Sequence, residues 1–226
     1  MAQDQDTSRL TVPDSVGLRL RTHRQKSGVT LRALAGKVGV SPSLISQIEH
    51  GKANPSVGTL YAIVTSLDIS LDELFAHGET PADGNVDTDE EQTAERPRHG
   101  GASSSGPVLR LTDRPVIHLA AGVQWERLSH APEPDVDFLL VTYDVNGASC
   151  PPDALMRHSG REYGLVLEGR LGATVGFESY ELEPGDSLVF DSSTPHRFWT
   201  IGEHPCVVVW TVIGRQGDSR VPTTSE

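Results

Sequence analysis

The chain has little cysteine and no long apolar run. Only two of its 226 residues are cysteines, Cys150 and Cys206, which excludes a disulfide framework and fits a reducing compartment. No stretch approaches the roughly 20 apolar residues of a membrane helix, and residues 1–10 lack the basic and apolar regions of a secretion signal. We therefore expect a cytoplasmic protein that does not enter a membrane.

Positive charge is also scarce, and it is unevenly distributed. The chain has 19 Lys and Arg against 31 Asp and Glu, a formal net charge of −12. Residues 14–77 hold seven basic and five acidic side chains, a net of +2, whereas residues 78–107 hold two and seven, a net of −5. Because residues 78–107 also lack large apolar side chains, we expect a flexible acidic linker there between two domains, 14–77 and 108–214. The tails, 1–13 and 215–226, are predicted to be disordered.

Residues 14–77 have the apolar spacing of a small all-α domain with five helices. Val16, Leu20 and Arg24 mark the first helix, and the others are predicted over 31–38, 41–50, 56–67 and 70–75. Ser56 and Ser70 occupy the N-cap positions of the fourth and fifth predicted helices.

The stretch 30–54 reads as two short helices joined by a tight turn at Gly39. Ser41 is a good N-cap for the second helix, and Pro42 suits its first position. The side chains that can face a core are Leu44, Ile45 and Ile48, and the small polar ones left outside are Ser43, Ser46 and Gln47. Such a helix is shaped to enter a DNA major groove.

This pattern resembles the DNA-binding domain of the lambda/434 repressor and Cro class, often called the XRE family, over residues 14–75. The resemblance implies that Arg24 pairs with Glu49 and that both are structural. It also implies base readout by Ser43, Leu44 and Gln47, with flanking phosphate contacts. The predicted DNA-binding set is Thr30, Arg32, Ser41, Ser43, Leu44, Ser46, Gln47, Lys52 and Asn54. The alternative is a helical domain used only for protein contacts, which Arg32 favours slightly because relatives often carry glutamine or glutamate there.

Beyond residue 108 the pattern changes from helical to strand-like, with short β-branched or alternating runs between turn signals. The predicted strands are 115–119, 125–129, 137–144, 163–168, 170–175, 180–182, 187–190, 196–200 and 207–212. A run of short strands without helices predicts an all-β sandwich or barrel.

Two segments of this half resemble the conserved motifs of the cupin superfamily, a double-stranded β-helix of the jelly-roll type. In the first motif His158, Glu162 and Gly169 match, whereas Met156 stands where a histidine belongs. In the second motif Gly185 and His196 match. Residues that replace the usual proline, glycine and asparagine are Asp191, Ser193 and Thr200.

The resemblance implies that His158, Glu162 and His196 converge inside one barrel. Two imidazoles and a carboxylate with open positions suit non-haem Fe(II), and Zn, Mn and Ni are also compatible. The alternative is a metal-free pocket in which the same polar cluster holds an organic ligand. Side chains predicted to line the pocket are Tyr143, Met156, Phe198 and Trp210.

The two halves together resemble the XRE-cupin transcriptional regulators. That resemblance implies an operator DNA partner, a small-molecule effector in the barrel, no enzymatic activity, and a homodimer that supplies two weakly basic DNA-binding domains. The competing class is a non-haem iron oxygenase of the hydroxypropylphosphonate epoxidase type, which also carries a helix-turn-helix-like N-terminal domain. Such chemistry would need basic groups in the pocket, but Arg157, Arg161 and Arg197 are predicted to point outward. A third class is a cupin module that only dimerises.

Overall fold

A computed structural model describes residues 15–75, 107–131, 133 and 135–214. The predicted tails, 1–13 and 215–226, and nearly all of the predicted linker lie outside the described residues. No helix within the described ranges is long and apolar enough to cross a membrane.

The N-terminal half folds into five helices, close to the predicted bounds. They are α1 (Ser15–Lys26), α2 (Leu31–Val38), α3 (Pro42–Glu49), α4 (Val57–Leu67) and α5 (Asp72–Phe75). The hydroxyls of Thr30, Ser41 and Ser56 each accept a hydrogen bond of 3.1 Å from the first turn of the following helix. These side chains satisfy N–H groups that would otherwise lack partners, which fixes where α2, α3 and α4 begin.

The turn between α2 and α3 depends on Gly39, whose φ of 77° lies in the left-handed region. A residue with a Cβ pays a steric penalty there, so glycine favours the sharp reversal that joins the two helices. The buried side chains of α3 are Ile45, Ile48 and Glu49, which leaves its opposite face to solvent. The helical domain is therefore a compact core with one polar helix face on its surface.

The C-terminal half is a two-sheet β structure that agrees with the predicted all-β barrel. Its strands are β1 (Val116–Leu119), β2 (Val123–Arg127), β3 (Val136–Tyr143), β4 (Arg161–Glu168), β5 (Leu171–Val175), β6 (Glu178–Leu182), β7 (Ser187–Asp191), β8 (His196–Thr200) and β9 (Cys206–Ile213). One sheet has the order β1-β2-β3-β9-β4-β7, and the other has the order β6-β5-β8. All the pairings between these strands are antiparallel.

Side chains alternate between the inside and the outside along the long central strands. In β4, Glu162 and Val166 are buried, whereas Tyr163 and Leu165 on the other face are exposed. Gly164 makes room for the ring of its cross-strand neighbour Trp210, since a Cβ at position 164 would lie 2.5 Å from that ring. The absence of a side chain at one position therefore lets an indole fill the interior.

The helical domain packs directly against the barrel. The Gly58 N–H donates to the Ser149 carbonyl at 3.4 Å, and the Ala120 N–H donates to the Pro55 carbonyl at 2.9 Å. In addition, the Asp72 carboxylate lies 3.6 Å from the Arg127 guanidinium, and both side chains are buried. Helix α4 therefore belongs to two interfaces, one within its own domain and one with the barrel.

Candidate functional site

The polar side chains predicted to contact DNA lie on α2, on α3 and in the turn after α3. Those that are exposed are Thr30, Arg32, Ser41, Ser43, Gln47, Lys52 and Asn54. Ser46 is half-buried, and Leu44 is half-buried with its side chain packed on the hydrophobic core. Gln47 is therefore the largest exposed polar side chain on α3. Its amide has both a donor and an acceptor, and this combination can form two hydrogen bonds with adenine.

The local charge of this surface is positive although the whole chain is acidic. Within residues 30–54 the basic side chains Arg32, Lys37 and Lys52 are exposed. The only acidic residue in that stretch is Glu49, which is buried and bonded to Arg24 at 2.5 and 2.8 Å. Helix α3 therefore presents a face free of acidic groups, as phosphate contacts require.

The ion pair between Arg24 and Glu49 holds α3 against α1. Arg24 also donates to the Val29 carbonyl at 2.9 Å, so one guanidinium ties together α1, the following turn and α3. The hydrogen bonds to Glu49 raise the pKa of Arg24 above its already high value. This geometry supports the structural role that the sequence assigned to the pair.

The barrel brings together three residues from two strands and the loop before β4. His158 Nε2 lies 3.0 Å from Glu162 Oε1, and His196 Nε2 lies 3.2 Å from the same oxygen. All three side chains are buried, and their facing atoms lie within 4.8 Å of one another. The predicted triad is therefore assembled at one point inside the barrel.

Each member of the triad is oriented by a second hydrogen bond. His158 Nδ1 lies 3.0 Å from the Ser159 carbonyl, and His196 Nδ1 lies 2.8 Å from the Thr194 carbonyl. A carbonyl only accepts, so each Nδ1 donates to a carbonyl and each Nε2 faces Glu162. The other oxygen of Glu162 accepts from Trp210 Nε1 at 2.7 Å.

The facing atoms of the triad fit a metal ion. Two imidazole Nε2 atoms and one carboxylate oxygen meet at one buried point, and neutral imidazoles there would offer a cation three lone pairs. Burial lowers the pKa of His196, which favours the neutral form that binds a metal. A cation at this point would be coordinated by both Nε2 atoms and by Glu162, and carbonyl-oriented imidazoles are typical of metal sites.

A small cavity adjoins the triad and has a mostly apolar, aromatic lining. Its walls are formed by Val57, Tyr61, Trp125, Leu139, Val141, Tyr143, Met156, Glu162, Phe198 and Trp210, and its free volume is about 10 Å³. All four predicted pocket residues are among them. Glu162 is the only carboxylate in the lining, and the burial of Tyr143 raises the pKa of its phenol, so that group is neutral.

The nearby arginines do not reach the cavity. Arg157 and Arg161 are exposed, and Arg197 donates to the Cys150 carbonyl at 3.0 Å and lies over the Trp199 ring. Their outward orientation agrees with the alternation expected on strands. The cavity lining therefore has no basic side chain.

Five lining residues were missed by the sequence prediction: Trp125 on β2, Leu139 and Val141 on β3, and Val57 and Tyr61 on α4. The Tyr61 ring stacks on His158 with the ring centres 4.3 Å apart and lies 5.4 Å from the Trp125 ring. A signal for this contact exists in α4, whose buried residues Val57, Leu60, Tyr61, Ile63, Val64 and Leu67 cover more than one helix face. A helix that is apolar on several sides contacts more than its own small domain.

Comparisons with known proteins agree with both halves of the chain. The helix-turn-helix family model matches residues 20–74, and the cupin domain family model matches residues 139–212. The transcriptional regulator PuuR of Escherichia coli is 26% identical over 193 residues, which span 85% of this chain and 91% of PuuR. The regulator SinR of Bacillus subtilis is 33% identical over 90 residues, which span 39% of this chain and 81% of SinR.

Solved structures with this architecture include a helix-turn-helix regulator from Vibrio cholerae. It covers 88% of this chain and 95% of its own length at 21% identity, with a TM-score of 0.57. A hydroxypropylphosphonic acid epoxidase from S. wedmorenis covers 89% of this chain and 98% of its own length at 19% identity, with a TM-score of 0.40. The order of domains, the exposed polar face of α3 and the matches to regulators along most of the chain agree with one another. The chain therefore belongs to the XRE-type helix-turn-helix transcriptional regulators that carry a C-terminal cupin domain.

Proposed function

We propose that this DNA-binding regulator acts in the cytoplasm as a sensor whose barrel holds a divalent transition metal and a small-molecule effector. The observation that carries the proposal is the buried triad of His158, Glu162 and His196, whose ligand atoms all lie within 4.8 Å of one another. Buried charged or polar groups of this kind are commonly paired or coordinate a metal.

The residues present suit a first-row transition metal. Two neutral imidazoles and one carboxylate leave open coordination positions, a donor set typical of Fe(II) and compatible with Zn, Mn and Ni. When bound, the metal would supply a Lewis-acidic point for an oxygen or nitrogen atom of the effector. Trp210 and the two backbone carbonyls hold the ligand residues in place, so their orientation does not depend on the effector.

The chemistry of the cavity lining favours an effector with a largely apolar body. Tyr143, Phe198 and Trp210 offer ring surfaces, whereas the described lining contains no basic side chain to hold a free anion. An anionic group on the effector would therefore have to bind the metal itself. A ligand with several negative charges would therefore bind poorly, because only one of its charges could reach the metal.

The lack of a basic side chain in the described cavity lining favours a sensor over an enzyme that transforms phosphonates. A phosphonate dianion needs cationic or multiple N–H donors, but Arg157, Arg161 and Arg197 all lie outside the cavity. We infer that the triad serves ligand binding and not turnover. Oxygen consumption with a hydroxyalkylphosphonate by the iron-loaded protein would contradict this inference.

We also propose that the barrel forms the homodimer, through the outer face of its larger sheet. Across β7, β4, β9 and β3 the residues Val189, Tyr163, Thr211 and Phe138 are successive cross-strand neighbours on that face. The three apolar members are each about two-fifths exposed, at 46%, 40% and 39%. Three exposed apolar side chains in one row across four strands suit a protein–protein interface, and a two-fold contact would place two α3 helices on one operator.

The metal centre is tested by elemental analysis of protein purified after growth with added Fe, Zn, Mn and Ni. We expect close to one transition-metal ion per chain, and loss of that ion in Glu162→Gln. The matched control is Glu181→Gln, because Glu181 is exposed on β6. Wild-type protein without metal under these conditions would contradict the metal centre and favour the metal-free pocket.

Sensing is tested by footprinting on DNA that adjoins the protein's own coding region. We expect a protected region with two-fold symmetry, whose protection changes with metal or with candidate metabolites. The Glu162→Gln variant should keep the DNA contacts of α3 and lose the response. A response that is the same in wild type and Glu162→Gln would contradict a role of the triad in sensing.

A further inference from the structure

The cavity beside the triad is too small for any metabolite. Its free volume is about 10 Å³, which is roughly the room that one water molecule occupies. Pockets for small organic ligands measure on the order of 300 Å³ or more. A metabolite can therefore enter only if part of the wall moves.

The walls of the cavity differ in how firmly they are held. Trp125, Leu139, Val141, Tyr143, Phe198 and Trp210 lie on hydrogen-bonded strands, and moving them would break a sheet. Val57 and Tyr61 lie on α4, which belongs to the helical domain. They are the two members of the wall that can leave as a unit without disrupting the barrel.

Helix α4 packs closely against the barrel, but few hydrogen bonds join the two. The Gly58 N–H reaches the Ser149 carbonyl at a long 3.4 Å, and a Cβ on Gly58 would lie 3.3 Å from the Met156 Cβ. At the α5 contact the buried Asp72 carboxylate lies 3.6 Å from the Arg127 guanidinium and accepts from the Glu133 N–H at 2.6 Å, whereas among the described residues Arg127 Nε has no hydrogen-bond partner. The desolvation of that N–H offsets part of what the ion pair contributes to docking.

We propose that α4 is the lid of the barrel, that the Tyr61 ring seals the cavity over His158, and that a metabolite and this docked arrangement exclude each other. This inference deepens the proposed function and rests on it. The Tyr61 ring lies on one of the triad residues, with the ring centres 4.3 Å apart, so a ligand that reaches the triad from this side displaces it.

A movement of α4 would reach the DNA-binding surface directly, through helices that pack on one another. Helix α4 packs on α2, and α2 packs on α3, so the recognition surface moves as one body with Tyr61. The polar face of α3 stays exposed in the docked arrangement, so docking sets the orientation of the DNA-binding domain and does not cover it. Because the coupling is reciprocal, operator DNA that favours one arrangement changes ligand affinity by the same factor.

The two native cysteines allow a test that needs neither ligand nor metal. Cys150 is buried beside Gly58, where an added Cβ would lie 4.0 Å from the Cys150 Cβ, whereas Cys206 is fully buried within β9. Lifting α4 should expose Cys150 and leave Cys206 protected. Burial raises the pKa of both thiols, that of Cys206 to about 11, so Cys206 is a slow internal reference.

The experiment measures N-ethylmaleimide labelling of each cysteine in the full chain by mass spectrometry. In Tyr61→Ala we expect Cys150 to react at least tenfold faster than in wild type, with Cys206 unchanged. Tyr61→Phe keeps the ring on His158 and should stay within about threefold of wild type. Asp72→Ala, which removes the buried contact with Arg127 between the domains and lies outside the cavity lining, should also accelerate Cys150. Labelling of Cys150 at the wild-type rate in both Tyr61→Ala and Asp72→Ala would overturn the lid.

A reversible lock tests the exclusion of ligands. In Gly58→Cys the new Cβ would lie 4.0 Å from that of Cys150, within the span of about 3.5–4.5 Å found in disulfides. Protein loaded with Co²⁺ while reduced, and then oxidised, should release the ion to dipicolinate at least tenfold more slowly than the reduced form. Equal rates would overturn the proposal. Failure of wild type to take up Co²⁺ would instead refute the metal centre, and the labelling arm would still decide the lid.

Discussion

The buried ion pair between Arg24 and Glu49 shows how one residue can determine the presentation of a whole surface. Both side chains are buried, at 9% and 6% exposed, and two hydrogen bonds join them. A buried charge that loses its partner is strongly destabilising, because its desolvation is no longer offset. The pair therefore stabilises the position of α3 only while both members are present.

We predict that Glu49→Ala lowers the free energy of unfolding of the helical domain by about 3–5 kcal/mol. That loss is comparable to the entire stability of a domain of this size. Urea unfolding of the full chain, followed by helical circular dichroism, measures it. The control is Glu181→Ala, since Glu181 and Arg170 form an exposed pair at 3.8 Å whose removal should change stability by less than about 0.5 kcal/mol. Equal effects of the two substitutions would contradict the role of burial.

At the scale of the element, most helices and strands were predictable from local patterns. The caps Thr30, Ser41 and Ser56 fix helix starts through hydrogen bonds within a few residues, so the sequence carries their full cause. Helix α2 was predicted to the residue, and α3 and β3 to within one residue at each end. Strand β2 was predicted two residues late, because Val123 and Gln124 are held by pairing with Thr142 and Tyr143 on β3, which is distant in sequence.

The exposed face of α3 is expected to contact base edges of the operator. Replacing the exposed Gln47 by alanine should weaken specific operator binding by about 1–3 kcal/mol per half-site and relax the base preference at the contacted position. The matched control is Gln25→Ala at the end of α1, which removes the same amide from an exposed site outside the stretch 30–54. Both effects are measured by titration on an operator and on its single-base variants. Unchanged affinity and preference in Gln47→Ala would assign base readout to other residues of the predicted set.

At the scale of the whole molecule, the candidate site was only partly predictable. The triad and the four pocket residues were expected from the resemblance to the cupin motifs, whose matching residues are identified by local spacing. The contact of Tyr61 with His158 joins two domains across a stretch outside the described residues, and no periodicity of α4 identifies which surface it meets. Long-range packing of this kind is a property of the assembled chain, so sequence patterns indicate only that α4 has an extra apolar side.

The proposed dimer contact can be disrupted by one substitution on the outer face of the larger sheet. Leu165 lies on the outer face of β4, two residues along the strand from Tyr163, and is 41% exposed, so Leu165→Asp would place a carboxylate beside the proposed contact row. We expect this variant to sediment as a monomer where wild type is a dimer. Its operator affinity should fall at least tenfold, because two weakly basic domains no longer bind together.

The matched control for the dimer is Phe177→Asp. Phe177 is a fully exposed aromatic residue in the turn between β5 and β6, away from the larger sheet. It tests whether the loss of any exposed apolar side chain disturbs association. Sedimentation velocity and operator titration of both variants at the same concentration separate the two cases. A dimeric Leu165→Asp with wild-type DNA affinity would place the dimer contact elsewhere, whereas dissociation by both variants would point to a general effect of added charge.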